Sequence, residues 1–244
     1  MAQKFAVFDI DGTLIRWQLY HSIVTELAHR GCLSPHAEQT INDARMTWKR
    51  RSHSKSFDEY EDTLVHTYLD AVRGLQVQDF LAAVDVVFEE YKDQVYTYTR
   101  DLIRRLKADG YLLFAVSGSQ KEIIAKLADY YGFDDYRGSD FERQGDTFTG
   151  NFLSPFKGKA GPLRELMQKH GVTTTGSIGV GDTKSDISML EIVEQPIAFN
   201  PSFELYEAAA ANKWTIVVER KSMIYELEPK DGTYELVPLA KTGQ

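Results

Sequence analysis

The chain has 244 residues, 43% of them hydrophobic, so it is long enough to bury a substantial core. Its 36 acidic residues outnumber its 28 basic ones and give a formal charge of -8, which argues against a surface that binds nucleic acid. Cys32 is the single cysteine, so no internal disulfide can form, and no apolar run reaches the roughly 18 residues of a membrane-spanning helix. We therefore expect a globular, cytoplasmic protein that binds neither nucleic acid nor membrane. Its oligomeric state stays open.

Short apolar runs predict the strands of a parallel sheet. A run that is apolar throughout is typical of a strand buried on both faces between layers of helices. The segments between the runs carry apolar residues at helical spacing, and strands that alternate with helices indicate a doubly wound α/β sheet. The predicted strands are 5–8, 111–116, 177–180, 196–199 and 214–218.

The interval between the first two predicted strands is too long for a simple crossover. About a hundred residues separate Asp11 from Ser117, whereas a strand–helix–strand unit needs about 30. Within this interval, amphipathic patterns predict four helices, one of which begins at Ser34 and Pro35. We therefore predict a helical domain over residues 16–95, inserted into a core formed by residues 1–15 and 96–244.

Two segments of alternating residues predict β-hairpins. The first runs from Arg137 to Phe152 and turns at residues 144–146. The second runs from Met223 to Leu239 and turns at residues 230–232. The second hairpin would form the C-terminal end of the core.

Asp9 and Asp11 stand at the end of the first predicted strand, in the sequence DIDGT. Alternate residues of a strand share a face, so both carboxylates can point at one spot, where a cation or a proton must offset their repulsion. Gly12 lets the chain leave the strand sharply, and the Thr13 hydroxyl can hydrogen-bond to a carboxylate. Alone, such a motif is more often a strand-ending turn. A calcium loop is disfavoured because Tyr20 stands where its closing Glu belongs.

Polar residues at other predicted strand ends favour a functional site over a simple strand-ending turn. Residues 117–119, SGS, precede a helix, where a hydroxyl and free N–H groups can bind a phosphate oxygen. Lys159 begins a helix, where a cation is unfavourable unless an anion lies nearby. Asp182 follows a strand and Asp186 lies one helical turn beyond it, so both carboxylates can face the same spot. Acids that converge from two strand ends predict a Mg²⁺ site.

In this order, the motifs DIDGT, SGS, Lys159 and GDTKSD resemble those of the haloacid dehalogenase superfamily of phosphohydrolases, and the helical insert resembles that family's cap domain. The resemblance implies a phosphatase in which Asp9 is the nucleophile and Asp11 the general acid and base. It also implies Mg²⁺ as the cofactor and a small phosphorylated metabolite as the substrate. The other roles that it implies are phosphate binding by Ser117, Gly118 and Lys159, metal binding by Asp9, the backbone carbonyl of Asp11 and Asp182, and support from Thr13 and Asp186.

Within that superfamily, the helical insert and the hairpin before the lysine most resemble the phosphoserine phosphatase branch. Gln18, however, stands where those enzymes carry a Glu for the substrate amine, and only Arg45 and Arg73 are candidates to bind a substrate carboxylate. The identity of the substrate therefore stays open. Trp17, Gln18 and Tyr20 follow the catalytic loop and could line the substrate pocket, although Trp17 and Tyr20 fit the core of the cap equally well.

Alternatives to a phosphatase also stay open. A phosphomutase or phosphotransferase could use the same Asp9 nucleophile, and a receiver-type signalling domain also accepts phosphate on an Asp at a strand end. A receiver lacks both the acid and base role of Asp11 and a long helical insert. Lys157 competes with Lys159 for phosphate, but the spacing of the following helix favours Lys159.

Overall fold

The computed structural model describes residues 3–53, 55–152, 158–221 and 223–237. The chain forms two compact units. The first comprises Met1–Trp17, Tyr91–Gly138 and Phe156–Gln244, and the second comprises Gln18–Glu90 and Ser139–Pro155. Lys157 and Leu239, which the sequence analysis singled out, lie outside the described residues.

The elements are numbered in chain order. The strands are β1 (Phe5–Phe8), β2 (Leu112–Gln120), β3 (Asp135–Ser139), β4 (Phe141–Gln144), β5 (Thr147–Phe152), β6 (Ile178–Gly181), β7 (Gln195–Phe199), β8 (Thr215–Arg220), β9 (Met223–Lys230) and β10 (Thr233–Leu236). The helices are α1 (Leu19–His29), α2 (Pro35–Lys49), α3 (Ser56–Val72), α4 (Val77–Tyr91), α5 (Thr97–Ala108), α6 (Lys121–Tyr131), α7 (Ala160–His170), α8 (Ile187–Leu190) and α9 (Phe203–Asn212). A short 3₁₀ turn spans Lys184–Asp186.

The main sheet has the strand order β10-β9-β8-β7-β6-β1-β2-β3. Strand β1 pairs in parallel with both β2 and β6, and the parallel pairing continues through β7 to β8. Helices connect these strands, so the predicted doubly wound α/β core is confirmed. Because their strands are parallel and adjacent, the carboxyl ends of β6, β1 and β2 meet at one edge of the sheet.

Strand β1 is buried on both faces. Phe5 and Val7 belong to the main hydrophobic cluster, and the Phe5 ring stacks on Phe114 of β2 at 5.5 Å between centroids. On the opposite face of the strand, Phe8 packs edge-to-face against Phe133 at 6.0 Å. A strand that is covered on both sides needs apolar residues throughout, which explains its unbroken apolar sequence.

The predicted C-terminal hairpin is confirmed over its described residues. Strands β9 and β10 pair antiparallel, and β9 also pairs antiparallel with β8, so the hairpin extends the main sheet. The turn uses Asp231 and Gly232, both with positive φ (49° and 82°). The hydroxyl of Tyr234 lies 3.0 Å from the carbonyl oxygen of Ala209 and 2.9 Å from that of Trp214, which anchors the hairpin to α9 and the loop after it.

The second unit contains the four predicted helices, α1 to α4. Helix α2 begins with Pro35 at its first turn, and the Ser34 side chain caps it by accepting the N–H of Ala37 at 3.2 Å. The largest buried side chains of this unit include Tyr60, Tyr68 and Phe80. Among the described residues, no helix combines the length and the apolar character needed to cross a bilayer.

The hairpin β4–β5 also belongs to the second unit, whereas the sequence-based division placed it with the core. The Phe141 ring packs against Tyr68 at 5.8 Å and the Phe148 ring against Phe80 at 5.1 Å, both edge-to-face. The hairpin also starts later than predicted, because residues 135–139 form strand β3 of the main sheet. Alternation predicts a strand but not its partner, and burial of these two rings decides where the hairpin lies.

Candidate active site

Polar side chains from several segments of the first unit meet at the carboxyl edge of the main sheet. Asp9 follows β1, Ser117 lies in β2, and Asp182 follows β6. The N–H of Asp9 donates to the carbonyl of Val180 at 2.9 Å, so the pairing of β1 with β6 continues to Asp9. Lys159, the residue before α7, reaches the same edge.

Lys159 is buried between two carboxylates. Its Nζ lies 2.5 Å from Oδ1 of Asp9 and 2.5 Å from Oδ1 of Asp186. Burial alone would lower the pKa of this ammonium, but the charges and hydrogen bonds of Asp186 and Asp9 outweigh it and raise the pKa above its ordinary value. The ammonium therefore stays charged. The backbone N–H of Lys159 donates to the Ser188 hydroxyl at 3.1 Å.

Asp182 lies against the other side of the Asp9 carboxylate. The hydroxyl of Thr13 lies 3.0 Å from Oδ2 of Asp9 and 3.2 Å from Oδ1 of Asp182, so a single donor sits between two acceptors. Burial and the charges of Asp9 and Asp186 raise the pKa of Asp182 well above its usual range. The carboxylates repel one another, and the cluster is short of positive charge.

Gly12 allows this close approach. Its φ is +78°, and a Cβ at this position would lie 2.1 Å from Oδ2 of Asp182. A real Cβ cannot come that close to an oxygen, so the loop needs glycine both for its backbone conformation and for space. The first reason is predictable from the local sequence, whereas the second depends on a residue far along the chain.

Asp11 has different surroundings from Asp9. Asp9 is only 3% exposed, whereas Asp11 is partly exposed. The hydroxyl of Ser117 donates to Oδ2 of Asp11 at 2.7 Å and accepts the N–H of Ser119 at 3.0 Å. Gly118 between them is exposed, and a Cβ there would meet no described atom within 4 Å, so there is open space beside the main chain at this residue.

Asp186 is fully buried and holds the loop after β6. Its Oδ2 accepts the N–H groups of Asp182 at 3.0 Å and of Thr183 at 2.9 Å, while its Oδ1 faces the ammonium of Lys159. Asp186 thus fixes the backbone that carries Asp182 and the cation that contacts Asp9.

The donor set suits a divalent cation. Oxygens of Asp9, Asp182 and Asp186 lie within 4.8 Å of one another, and Lys159 supplies one positive charge against three carboxylates. Clustered carboxylate oxygens are the ligands that Mg²⁺ prefers. Asp186 already satisfies Lys159 and two N–H groups, so Asp9 and Asp182 are the side chains best placed to hold the ion.

The structure thus brings together the residues predicted for catalysis, phosphate and metal binding. The residues predicted to line the pocket divide between the units, with Trp17 in the first and with Gln18 and Tyr20 in the second. The Tyr20 ring packs edge-to-face on Tyr68 at 4.9 Å. Its hydroxyl is buried without a hydrogen-bond partner among the described residues, and burial raises the pKa of Tyr20 well above its usual value.

Two supporting contacts were not foreseen from the sequence. The Thr99 hydroxyl donates to the carbonyl of Thr13 at 2.9 Å, and Ser188 holds the backbone of Lys159. Both join residues that are distant in the chain, so no local pattern indicates them.

The fold and this acidic cluster fit a known family of hydrolases. The model of the haloacid dehalogenase-like hydrolases matches residues 6–191, from β1 to the residue after α8. The chain belongs to this family. The match covers every residue of the cluster around Asp9.

The chain is similar to proteins named as phosphoserine phosphatases and to one named as a histidinol-phosphatase. The phosphoserine phosphatase of Streptomyces coelicolor is 28% identical over 211 residues, which cover 85% of this chain and 47% of that protein. The histidinol-phosphatase of Neisseria meningitidis serogroup C is 21% identical and covers 88% of this chain and 98% of its own. A solved phosphoserine phosphatase, a phospho-aspartyl intermediate analogue, shares the fold with a TM-score of 0.65, 19% identity and coverage of 91% and 95%. The chain spans about half the length of the first of these relatives.

Proposed function

We propose that this protein is a magnesium-dependent phosphatase that hydrolyses a small phosphomonoester through a phosphorylated Asp9. The observation that carries the proposal is the setting of the Asp9 carboxylate. It is buried, it contacts the Lys159 ammonium at 2.5 Å, and Asp182 lies beside it. A carboxylate held in one orientation next to a cation is suited to attack a phosphoryl group, because phosphoryl transfer depends mainly on positioning and charge stabilisation.

In the first step, an oxygen of Asp9 forms a bond to phosphorus while the bond from phosphorus to the ester oxygen breaks. The electron pair stays on the ester oxygen, which takes a proton from Asp11 and leaves as an alcohol. Asp11 suits this role because it is partly exposed and is oriented by the Ser117 hydroxyl at 2.7 Å. Lys159 offsets charge on the phosphoryl oxygens.

In the second step, the Asp11 carboxylate takes a proton from water, whose oxygen then attacks the phosphorus. The bond between phosphorus and Asp9 breaks, which restores the Asp9 carboxylate and releases inorganic phosphate. Asp11 regains its proton, so both residues return to their starting states.

Asp9 and Asp182 would hold the Mg²⁺, with the backbone carbonyl of Asp11 as a third ligand. The bound ion supplies charge neutralisation for the phosphoryl group. Asp186 supports the site indirectly by holding Lys159 and the loop of Asp182. The Ser117 hydroxyl and the N–H of Gly118 would bind phosphate oxygens, since the main chain at Gly118 has open space beside it.

The substrate is proposed only as a small phosphorylated metabolite. Relatives named for phosphoserine and for histidinol phosphate both cover most of this chain, and both act on small amino compounds by those names. Gln18 of this chain lies at the N-terminus of α1, in the second unit. A neutral amide there binds an ammonium less strongly than a carboxylate does, so phosphoserine need not be the preferred compound.

The proposal is tested by assaying the protein against a panel of phosphorylated metabolites and an aryl phosphate, with Mg²⁺ and with EDTA. We expect release of inorganic phosphate without any added acceptor, dependence on Mg²⁺, and a loss of at least about a thousandfold in Asp9→Asn. Asp101→Asn is the matched control, because Asp101 lies on the exposed surface of α5 with 56% of its side chain accessible. Phosphate release by Asp9→Asn at the wild-type rate would refute the assignment, and transfer that requires an acceptor would indicate a phosphotransferase.

A further inference from the structure

Gln120 is a buried amide without hydrogen bonds. It is the last residue of β2 and directly follows Ser117, Gly118 and Ser119. Gln120 is 0% exposed, and neither its Oε1 nor its Nε2 has a hydrogen-bond partner among the described residues. Buried side-chain amides in folded proteins are nearly always paired, because an unpaired one loses its bonds to water and gains nothing.

The local fold gives no reason for an amide at this position. Gln120 precedes α6, where a polar side chain commonly caps the helix, but it makes no side-chain capping hydrogen bond. A methionine would have similar length and volume and would leave no polar atom unpaired. Stability alone would therefore favour an apolar residue here.

The position of Gln120 points to the substrate. The register pairs Phe8 with Ala115, so Asp9 is level with the residue after Ala115, and Gln120 lies further along in the strand direction. The sheet lies behind Asp9, so the organic part of a phosphomonoester bound there must extend away from it, beyond the carboxyl edge. Gln120 is therefore on the side of the edge where that organic part lies.

We propose that Gln120 is a positioning residue whose amide binds the organic part of the phosphomonoester. This inference rests on the proposed function. The amide offers one donor group, Nε2, and one acceptor, Oε1, so the complementary substrate carries both an acceptor and a donor near the phosphate. An amino acid phosphorylated on its hydroxyl has this character, with an ammonium donor and a carboxylate acceptor, whereas a simple alkyl or aryl phosphate does not.

Gln120→Met is the direct test, because it removes both polar atoms and keeps the volume. We measure the melting temperature of the free protein, together with kcat and KM for phosphoserine, phosphoglycolate, phosphoethanolamine and an aryl phosphate. The melting temperature should rise by about 2–4 °C, because an unpaired buried amide is removed. KM should rise about tenfold for phosphoserine, which has both groups, and least for the aryl phosphate.

Ser177→Ala is the matched control for a buried polar group that is satisfied. Its hydroxyl donates to the carbonyl of Thr174 at 2.6 Å and accepts the N–H of Glu194 at 3.0 Å, at the end of β6 away from Asp9. This variant should lower the melting temperature and leave KM unchanged. Opposite changes in melting temperature for the two variants would show that Gln120, unlike Ser177, has no structural partner.

Gln120→Glu tests the same contact through its charge. It replaces the amide donor by an acid, so KM should rise for phosphoglycolate, which has a carboxylate, and fall for phosphoethanolamine, which has an ammonium. A lower melting temperature for Gln120→Met, or the same ratio of KM values in Gln120→Glu and wild type, would overturn the inference. If wild type hydrolyses none of the four compounds, the proposed function fails instead.

Discussion

Replacing Lys159 by methionine should unbalance the carboxylates around Asp9. The ammonium contacts Asp9 and Asp186 at 2.5 Å each and Lys159 is 5% exposed, so the cation is buried with both partners. Methionine keeps most of the volume of the side chain and removes its charge. What remains is a buried group of acids with no cation among them.

The expected loss of unfolding free energy follows from the burial of Lys159. Removing one partner of a buried ion pair costs about 3–5 kcal/mol of unfolding free energy, because the remaining charge is left uncompensated. An exposed pair is worth about 0–1 kcal/mol. Lys169 offers the comparison within α7, since its Nζ lies 2.6 Å from Asp135 but 60% of its side chain is exposed. We therefore expect Lys159→Met to be several times more destabilising than Lys169→Met.

The assay is chemical denaturation of both variants at neutral pH, in EDTA and in Mg²⁺. In EDTA, Lys159→Met should lose about 3–5 kcal/mol and Lys169→Met at most about 1 kcal/mol. Mg²⁺ should restore part of the stability lost in Lys159→Met. A ligand of the folded state that is present at a concentration of a hundred times its Kd adds about 2.7 kcal/mol to the free energy of unfolding. Activity of Lys159→Met should fall about 100- to 1,000-fold even in Mg²⁺.

Equal stability losses in the two variants would refute this reasoning, since they would show that burial of Lys159 does not matter. Wild-type activity in Lys159→Met would equally contradict a role for the ammonium beside the phosphoryl group. A loss of stability that Mg²⁺ does not reduce would count against a metal site among the same carboxylates.

Two further substitutions test other parts of the structure. Gly12→Ala should lower the free energy of unfolding by about 1–3 kcal/mol and weaken Mg²⁺ binding, because the new Cβ meets Asp182 and the φ of +78° suits glycine. Denaturation measures the first effect, and an Mg²⁺ titration of activity measures the second. An unchanged Mg²⁺ dependence would contradict the loop geometry. Asp135→Asn tests a structural acid: burial raises the pKa of Asp135, but hydrogen bonds from Lys169 and His170 outweigh it and lower the pKa to about 2. Since the folded pKa is below the unfolded one, Asp135 stabilises the fold by about 1–2 kcal/mol above about pH 4, and this contribution is lost as the pH falls towards 2. Denaturation of wild type and variant should show a difference that shrinks between about pH 4 and pH 2, whereas a difference that is constant or grows towards acid would contradict the assignment.

The sequence predicted the strands of the core better than the position of the β4–β5 hairpin. Strand β1 was predicted with the bounds that it has, because burial on both faces leaves an unbroken apolar run. The segment from Arg137 was predicted as one hairpin, but Asp135–Ser139 joins the main sheet and the hairpin begins at Phe141. Alternation shows that residues are extended, and only the packing of their side chains decides which sheet they join.

The candidate site was predictable to the extent that its residues follow strands. Asp9 and Asp182 directly follow strands and Ser117 lies in the last part of β2, and parallel strands carry their ends to one edge. The contact of Gly12 with Asp182 and the support of Lys159 by Ser188 could not be predicted, because each joins segments whose approach depends on the whole fold. Gln120 carries no motif, and only its burial without partners makes it notable.

In the proposed mechanism, Asp9 carries the phosphoryl group during turnover. The most direct measurement is to quench the wild-type protein with acid during hydrolysis of an aryl phosphate in Mg²⁺ and to locate the phosphoryl group by mass spectrometry of its peptides. We expect one phosphoryl group on Asp9, present while substrate remains and gone when it is exhausted. A phosphoryl group on another residue, or turnover without any phosphorylated protein, would contradict it.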